Sequence, residues 1–330
     1  MFASLKSAAI VLALGTLWAQ DDTIFRTDSR LVVLHATAED KDGRLLMDLP
    51  RSAFQVYENG VRQEIKSFRK EDVPVSLGLI IDSSASMTDK RARVSAAALA
   101  LVQSSNPEDE VFIVNFDEAP ALAVDFTSDT KLMQKGLARI SPRGGTAMRD
   151  ALRTAIEHVK GRDKKEKKVL VIVTDGNDNS SIEPLDSVIR AAQQNDILVY
   201  SIGLLTDEMP REAEKAKRAL DAVTHATGGQ AYYPKDVSEI DRITPQIARE
   251  IRNQYIVTYS PGNQELDGSF RQIRLLVDSP DVSRIRTRSG YYATPDRQRP
   301  AKAPAPSGAA LHPVGQAGSL QADWQSAFCY

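Results

Sequence analysis

Between Val73 and Arg252, short and nearly continuous apolar runs alternate with amphipathic stretches, and this rhythm leaves few folds open. "VSLGLIID", "EVFIVNF", "KVLVIVTD" and "DILVYSIGL" have the length and unbroken apolar character of strands covered on both faces. Between them, "RARVSAAALALVQ", "AMRDALRTAIEHV", "PLDSVIRAAQQN" and "EKAKRALDAVTHAT" place apolar residues at helical spacing. Strands alternating with helices predict a doubly wound α/β domain, with a mostly parallel sheet and right-handed crossovers. The flanks read as β. From Leu31 to Phe68 the pairs Asp42-Gly43 and Asn59-Gly60 separate extended runs and suit the positive-φ positions of tight turns. After Arg252 come "QYIVTYSP", "FRQIRLLVD" and "VSRIRTRSGYYA", with Ile273, Leu275 and Val277 alternating against their neighbours. Each flank holds too few strands for a sandwich of its own. The two are therefore expected to pair into one small β-rich domain interrupted by the α/β domain, the alternative being two separate β flaps packed on the α/β core.

The N-terminus reads as an export signal. Lys6 precedes the apolar run Ala8 to Trp18, and Ala19-Gln20-Asp21-Asp22 resembles a signal-peptidase junction. The alternative is an uncleaved anchor, but that run is shorter than the ~20 residues needed to span a bilayer, so no transmembrane span is expected in the mature chain. The expected division is a signal peptide over 1–20, a β-rich segment over 21–72, the α/β domain over 73–253, a β segment over 254–293 and a Pro/Ala-rich disordered tail over 294–330. Export to the periplasm, cell surface or medium would permit disulfides, yet the sequence has a single cysteine, Cys329, so stability must come from the core. A formal net charge of −2 argues against a nucleic-acid partner.

The chemistry concentrates where strands end. Ligands of open α/β sheets bind outside the carboxyl ends of the strands. Asp82 closes "VSLGLIID" and Asp175 closes "KVLVIVTD"; Ser84 and Ser86 follow Asp82, and Thr146 stands behind two glycines in "SPRGGTAMRDAL". If the strands are neighbours, two carboxylates and three hydroxyls converge. Oxygen donors without imidazole or thiolate favour a hard cation such as Mg2+, with Mn2+ or Ca2+ as alternatives. Two carboxylates balance a divalent ion, and neutral hydroxyls leave it receptive to a further anion. Arg143 and Arg149 are the basic groups expected to compete in these loops. Each residue alone has a plainer reading, as a turn or helix cap, and Asp178 and Asn179 read as turn residues. An aspartyl phosphotransferase would need a second carboxylate where Ser84 stands. Neither "GxxxxGK[ST]" nor "GxSxG" is present, and His35, His158, His225 and His312 are scattered.

The "DSSAS" of Asp82 to Ser86, Thr146 in "GGTAM" and Asp175 in "TDGNDNSS" resemble the metal-ion-dependent adhesion site of von Willebrand factor type A domains. The resemblance covers about residues 73 to 253, and the flanks look like those of exported von Willebrand A-related proteins of acidobacteria. It implies a non-catalytic adhesion module holding Mg2+ through Asp82, Ser84, Ser86, Thr146 and Asp175. The implied partner is a protein that supplies an Asp or Glu carboxylate to the metal. It also implies that capture can shift the final helix, near Ser238 to Arg252. Ala85 departs from the pattern, where Gly is common, and its methyl group restricts the backbone. The alternatives are a structural component of an envelope assembly, in which the metal mainly stabilises, and a Mg2+-dependent phosphohydrolase.

Overall fold

The computed structural model describes residues 31–295, except 71, 105, 162–164, 166, 177 and 207–208. The expected signal peptide, Cys329, His312 and nearly all of the expected tail lie outside the described residues. Four strands come first: β1 (Val32–Glu39), β2 (Phe54–Glu58), β3 (Val61–Gln63) and β4 (Ile65–Lys70). The α/β part begins with β5 (Val75–Asp82), α1 (Arg91–Gln103), β6 (Glu110–Phe116), β7 (Pro120–Thr127), α2 (Thr130–Arg139) and α3 (Met148–Lys160). It continues through β8 (Lys167–Thr174), α4 (Leu185–Gln194), β9 (Ile197–Gly203), α5 (Pro210–Thr227), β10 (Ala231–Tyr232) and α6 (Ile240–Arg252). Then follow β11 (Tyr255–Tyr259), β12 (Phe270–Val277), β13 (Arg284–Arg286) and β14 (Gly290–Tyr292).

The central sheet runs β10-β9-β8-β5-β6-β7, parallel throughout except for β7, which is antiparallel to β6. This is the expected doubly wound, mostly parallel α/β architecture. Alternate residues of β5 feed two cores. Leu77, Leu79 and Ile81 pack with Val94 and Leu101 of α1 and Ile243 and Ile247 of α6. Ile80 packs on the opposite face with residues of α3, α4 and α5, including Leu152, Val188 and Leu220. From β5 the chain runs outward to β6 and β7, then returns to β8 on the other side of β5. The strand order therefore reverses between β5 and β8, whose carboxyl ends form the crevice where such sheets bind ligands.

The flanks interleave into two four-stranded sheets, β13-β1-β11-β4 and β14-β12-β2-β3, around one core that includes Leu34, Phe54, Tyr255, Tyr259 and Leu275. Asn59 (φ 48°) and Gly60 (φ 81°) make the tight β2–β3 turn, with Glu58 opposite Val61. Asp42-Gly43 also turns the chain, but the only pairing there is the single bridge Glu39–Leu45.

Candidate metal centre

Asp82 and Thr174 end the adjacent strands β5 and β8, and the Thr174 hydroxyl donates to Asp82 Oδ2 at 2.5 Å. The Ser84 amide donates to Asp82 Oδ1 at 2.8 Å, which turns the chain sharply out of the strand. Ser83 fixes this turn: its amide and hydroxyl both donate to the Phe116 carbonyl at the end of β6, at 2.7 and 2.9 Å. A short 3₁₀ turn over Ala85–Met87 follows, pinned by the buried Met87. Ala85 is not among the described residues with positive φ, so its methyl group sits there without backbone strain.

The hydroxyls of Ser84 and Ser86 lie 3.2 Å apart, and Ser86 Oγ donates to Asp175 Oδ1 at 2.8 Å. Thr146 arrives from the third loop. Its carbonyl accepts from the Asn179 and Ser180 amides, at 3.0 and 3.2 Å, and its amide donates to Asn179 Oδ1 at 2.9 Å. A Cβ built on Gly176 would lie 3.6 Å from Thr146 Oγ1, so that hydroxyl faces the turn immediately after Asp175. A Cβ on Gly145 would come 2.5 Å from Ser180 Oγ and 2.7 Å from Asn179 Oδ1, so a side chain there would have to displace the Asn179 group that accepts from the Thr146 amide. The Ala85 amide donates to the Gly144 carbonyl and the Arg143 amide to the Ser83 carbonyl, closing the loops on one another. The five residues singled out in the sequence thus meet at the carboxyl edge of the sheet.

Burial raises the Asp82 carboxyl above its usual range; hydrogen bonds from Thr174 and Ser84 oppose the rise, and the neighbouring Asp175 charge adds to it. Additional positive charge at this point would be favourable. Among the described residues no three His, Cys, Asp or Glu side chains come together, so a cation here would rely on the hydroxyls as well as on two carboxylates. That donor set fits a hard ion.

The expected competitors are otherwise engaged. Arg143 Nε donates to Asp117 at 2.8 Å, and Arg149 reaches Asp178 from Nε at 3.0 Å. Asp178 also accepts from the Arg149 amide and from the Ser181 amide and hydroxyl, so it orders the start of α3. The basic group that does reach the cluster is Lys90, which the sequence reading passed over; its ammonium is ion-paired with Asp175 Oδ2. Its place directly before α1, eight residues beyond Asp82, was the available signal. Two of the described histidines are engaged elsewhere: His158 packs against the Phe112 and Phe126 rings, and His35 lines a small cavity between β1 and β9.

Residues 77–177 match the family model of the von Willebrand factor type A domain. The chain is 30% identical over 139 residues to an uncharacterized protein of Mycobacterium tuberculosis, covering 40% of this chain and 22% of that one. It is 27% identical over 166 residues to calcium-activated chloride channel regulator 1 of Mus musculus, covering 48% of this chain and 17% of the relative. The chain therefore spans about a fifth of the length of these relatives. A solved structure, von Willebrand factor type A from Catenulispora acidiphila, aligns with a TM-score of 0.47 at 13% identity, over 82% of this chain and 73% of that one. The family match lies across β5, β6 and β8 and the loops that close over them, so over residues 77–177 this chain is similar to von Willebrand factor type A domains.

Proposed function

We propose that this chain is an exported, non-catalytic binding module. It captures an acidic side chain of a partner protein at a divalent-cation site formed by Asp82, Ser84, Ser86, Thr146 and Asp175. Domains of this family serve widely as adhesion and protein-interaction modules. The observation that carries the reading here is the linked series Asp82–Ser84–Ser86–Asp175 at the sheet's switch point, with Thr146 brought against it by the third loop. When bound, Mg2+, or Mn2+ or Ca2+ in its place, supplies a hard Lewis-acid centre that accepts a further oxygen ligand. Asp82 and Asp175 match its charge, while the hydroxyls add oxygens without adding charge. The carboxyl-edge position opens the site to a partner rather than to the core, and Ser86 is itself exposed.

Titration calorimetry of the full chain with MgCl2 and MnCl2, beside an Asp82→Ala variant, tests the site. Saturable binding that disappears in the variant is expected; no binding by the unaltered protein sinks the proposal. Partner capture is then expected to be abolished by EDTA, and capture that survives EDTA would refer adhesion to the β sheets instead.

A further inference from the structure

Lys90 is the one basic side chain in contact with the candidate cluster among the described residues, and its position is electrostatically unusual. It is the residue immediately before α1, where the exposed amides of a helix start favour anions over cations. The first turn of α1 offers no acidic residue to offset it. What holds the ammonium there is Asp175, whose side chain is only 1% exposed, while that of Lys90 is 20% exposed. The two oxygens of Asp175 are divided between Ser86, on Oδ1, and Lys90, on Oδ2. Removing Lys90 would leave a buried carboxylate with the Ser86 hydroxyl as its remaining side-chain partner among the described residues, an arrangement that is strongly unfavourable unless another cation compensates.

We propose that Lys90 is an internal competitor for the cation: its ammonium and a divalent ion draw on the same carboxylate of Asp175, so loading the site requires Lys90 to withdraw. The inference rests on the metal-binding reading above and goes beyond it by naming the residue that sets the affinity. The geometry makes the exchange feasible. Lys90 reaches Asp175 on a flexible stem and is the more exposed of the pair, so its ammonium can move to solvent while Asp175 stays fixed. Lys90 thereby stabilises the metal-free fold and weakens metal binding by the same interaction. A purely structural salt bridge would do only the first.

Calorimetry with MgCl2 on the full-length protein, its Lys90→Met and Lys90→Arg variants, and Asp82→Ala separates the possibilities, with thermal melting in EDTA and in saturating MgCl2 as a second readout. Lys90→Met is expected to bind Mg2+ about tenfold more tightly or better, the response to losing about 1.4 kcal/mol of competition. It is also expected to melt lower than the unaltered protein in EDTA and to gain more from Mg2+. Lys90→Arg, which keeps the charge and can grip a carboxylate with two donors, is expected to fold normally and bind Mg2+ more weakly. Binding by the unaltered protein with unchanged or weaker affinity in Lys90→Met, or equal melting losses with and without Mg2+, overturns the inference and leaves the proposed function standing. If Lys90→Met does not fold, an unchanged affinity in Lys90→Arg overturns it. Mg2+ binding by none of the proteins overturns the metal reading itself, and the inference with it.

Discussion

Asp82 divides its two oxygens between the backbone turn that starts the serine loop and the hydroxyl of Thr174 on the neighbouring strand. The second contact is buried, so Thr174→Val leaves a desolvated carboxylate oxygen without its donor. A loss of about 1–3 kcal/mol is expected in urea unfolding, and an unchanged midpoint would mean that solvent replaces the hydroxyl. Lys167 is a different kind of buried charge. Its ammonium, at the first position of β8, donates to the Ile251 carbonyl at the end of α6. Burial lowers its pKa from the ordinary 10.5 to about 7, against the pull of the Asp72 and Asp109 carboxylates. The unfolded chain keeps this proton until about 10.5, whereas the folded chain releases it near 7. Between those values the unfolded state binds more protons, so this residue makes stability rise with pH across the window and leaves its full penalty in place below it. Urea titrations across that range are expected to show the rise in the unaltered protein and a flatter profile in Lys167→Met. Parallel profiles would mean that Lys167 stays protonated in the fold.

At the scale of elements, β5 is the axis of the molecule, and Gly78 lets its neighbours close on it. A Cβ at Gly78 would fall 2.4 Å from the Phe112 ring and 2.5 Å from Leu170, on the two flanking strands. Gly78→Ala is therefore expected to destabilise the protein by about 1–3 kcal/mol through overpacking. A loss of only a few tenths in chemical denaturation would show that Phe112 moves aside freely. The four buried strands and four of the helices, α1, α3, α4 and α5, were legible in the sequence because the strands are unbroken apolar runs and the helices place apolar residues at helical spacing, whereas α6 entered only through the resemblance. β7 and α2 were not. β7 is an edge strand with no fully buried residue, and its alternation of Leu122, Val124 and Phe126 is short, offset by small alanines, and follows β6 too closely to stand out as a separate strand. α2 is short and buries only Met133, Gly136 and Leu137. The five candidate ligands could be read because strand-terminal aspartates followed by hydroxyls are a local pattern. Lys90 could not be singled out in the same way, since its significance depends on Asp175, which lies 85 residues away.

Across the whole molecule, the β sheets grip the α/β part through the end of α6. Arg286 of β13 lies between Glu39 of β1 and Glu250 of α6, with Nη2 2.6 and 2.7 Å from their carboxylates, and all three side chains are buried. Arg252 adds a contact to Asp72 and another to the Ser104 carbonyl, and Gln254 donates to Thr37 Oγ1 and Tyr200 Oη. These anchors lie toward the amino-terminal edge of the sheet, marked by Lys167 and Asp72, whereas the candidate metal centre is at the carboxyl edge. A helix so fixed at its last turn is poorly placed to slide along its axis when the opposite edge captures a ligand. Two outcomes follow. Amide exchange along the last turn of α6 is expected to be the same with and without saturating Mg2+; faster exchange on metal addition would revive a shifting helix. Arg286→Met takes from Glu39 and Glu250 the buried cation they share, leaving Glu39 the longer 3.9 Å contact to Arg284 and Glu250 its hydrogen bonds from Tyr232 and Gln246, and is expected to cost about 3–5 kcal/mol in denaturant unfolding. Because the two edges are energetically separate on this account, Mg2+ affinity in the folded variant should match that of the unaltered protein. An affinity that moved with Arg286 would instead make α6 a connection between the β sheets and the site, with Arg286 as the point at which tension enters it.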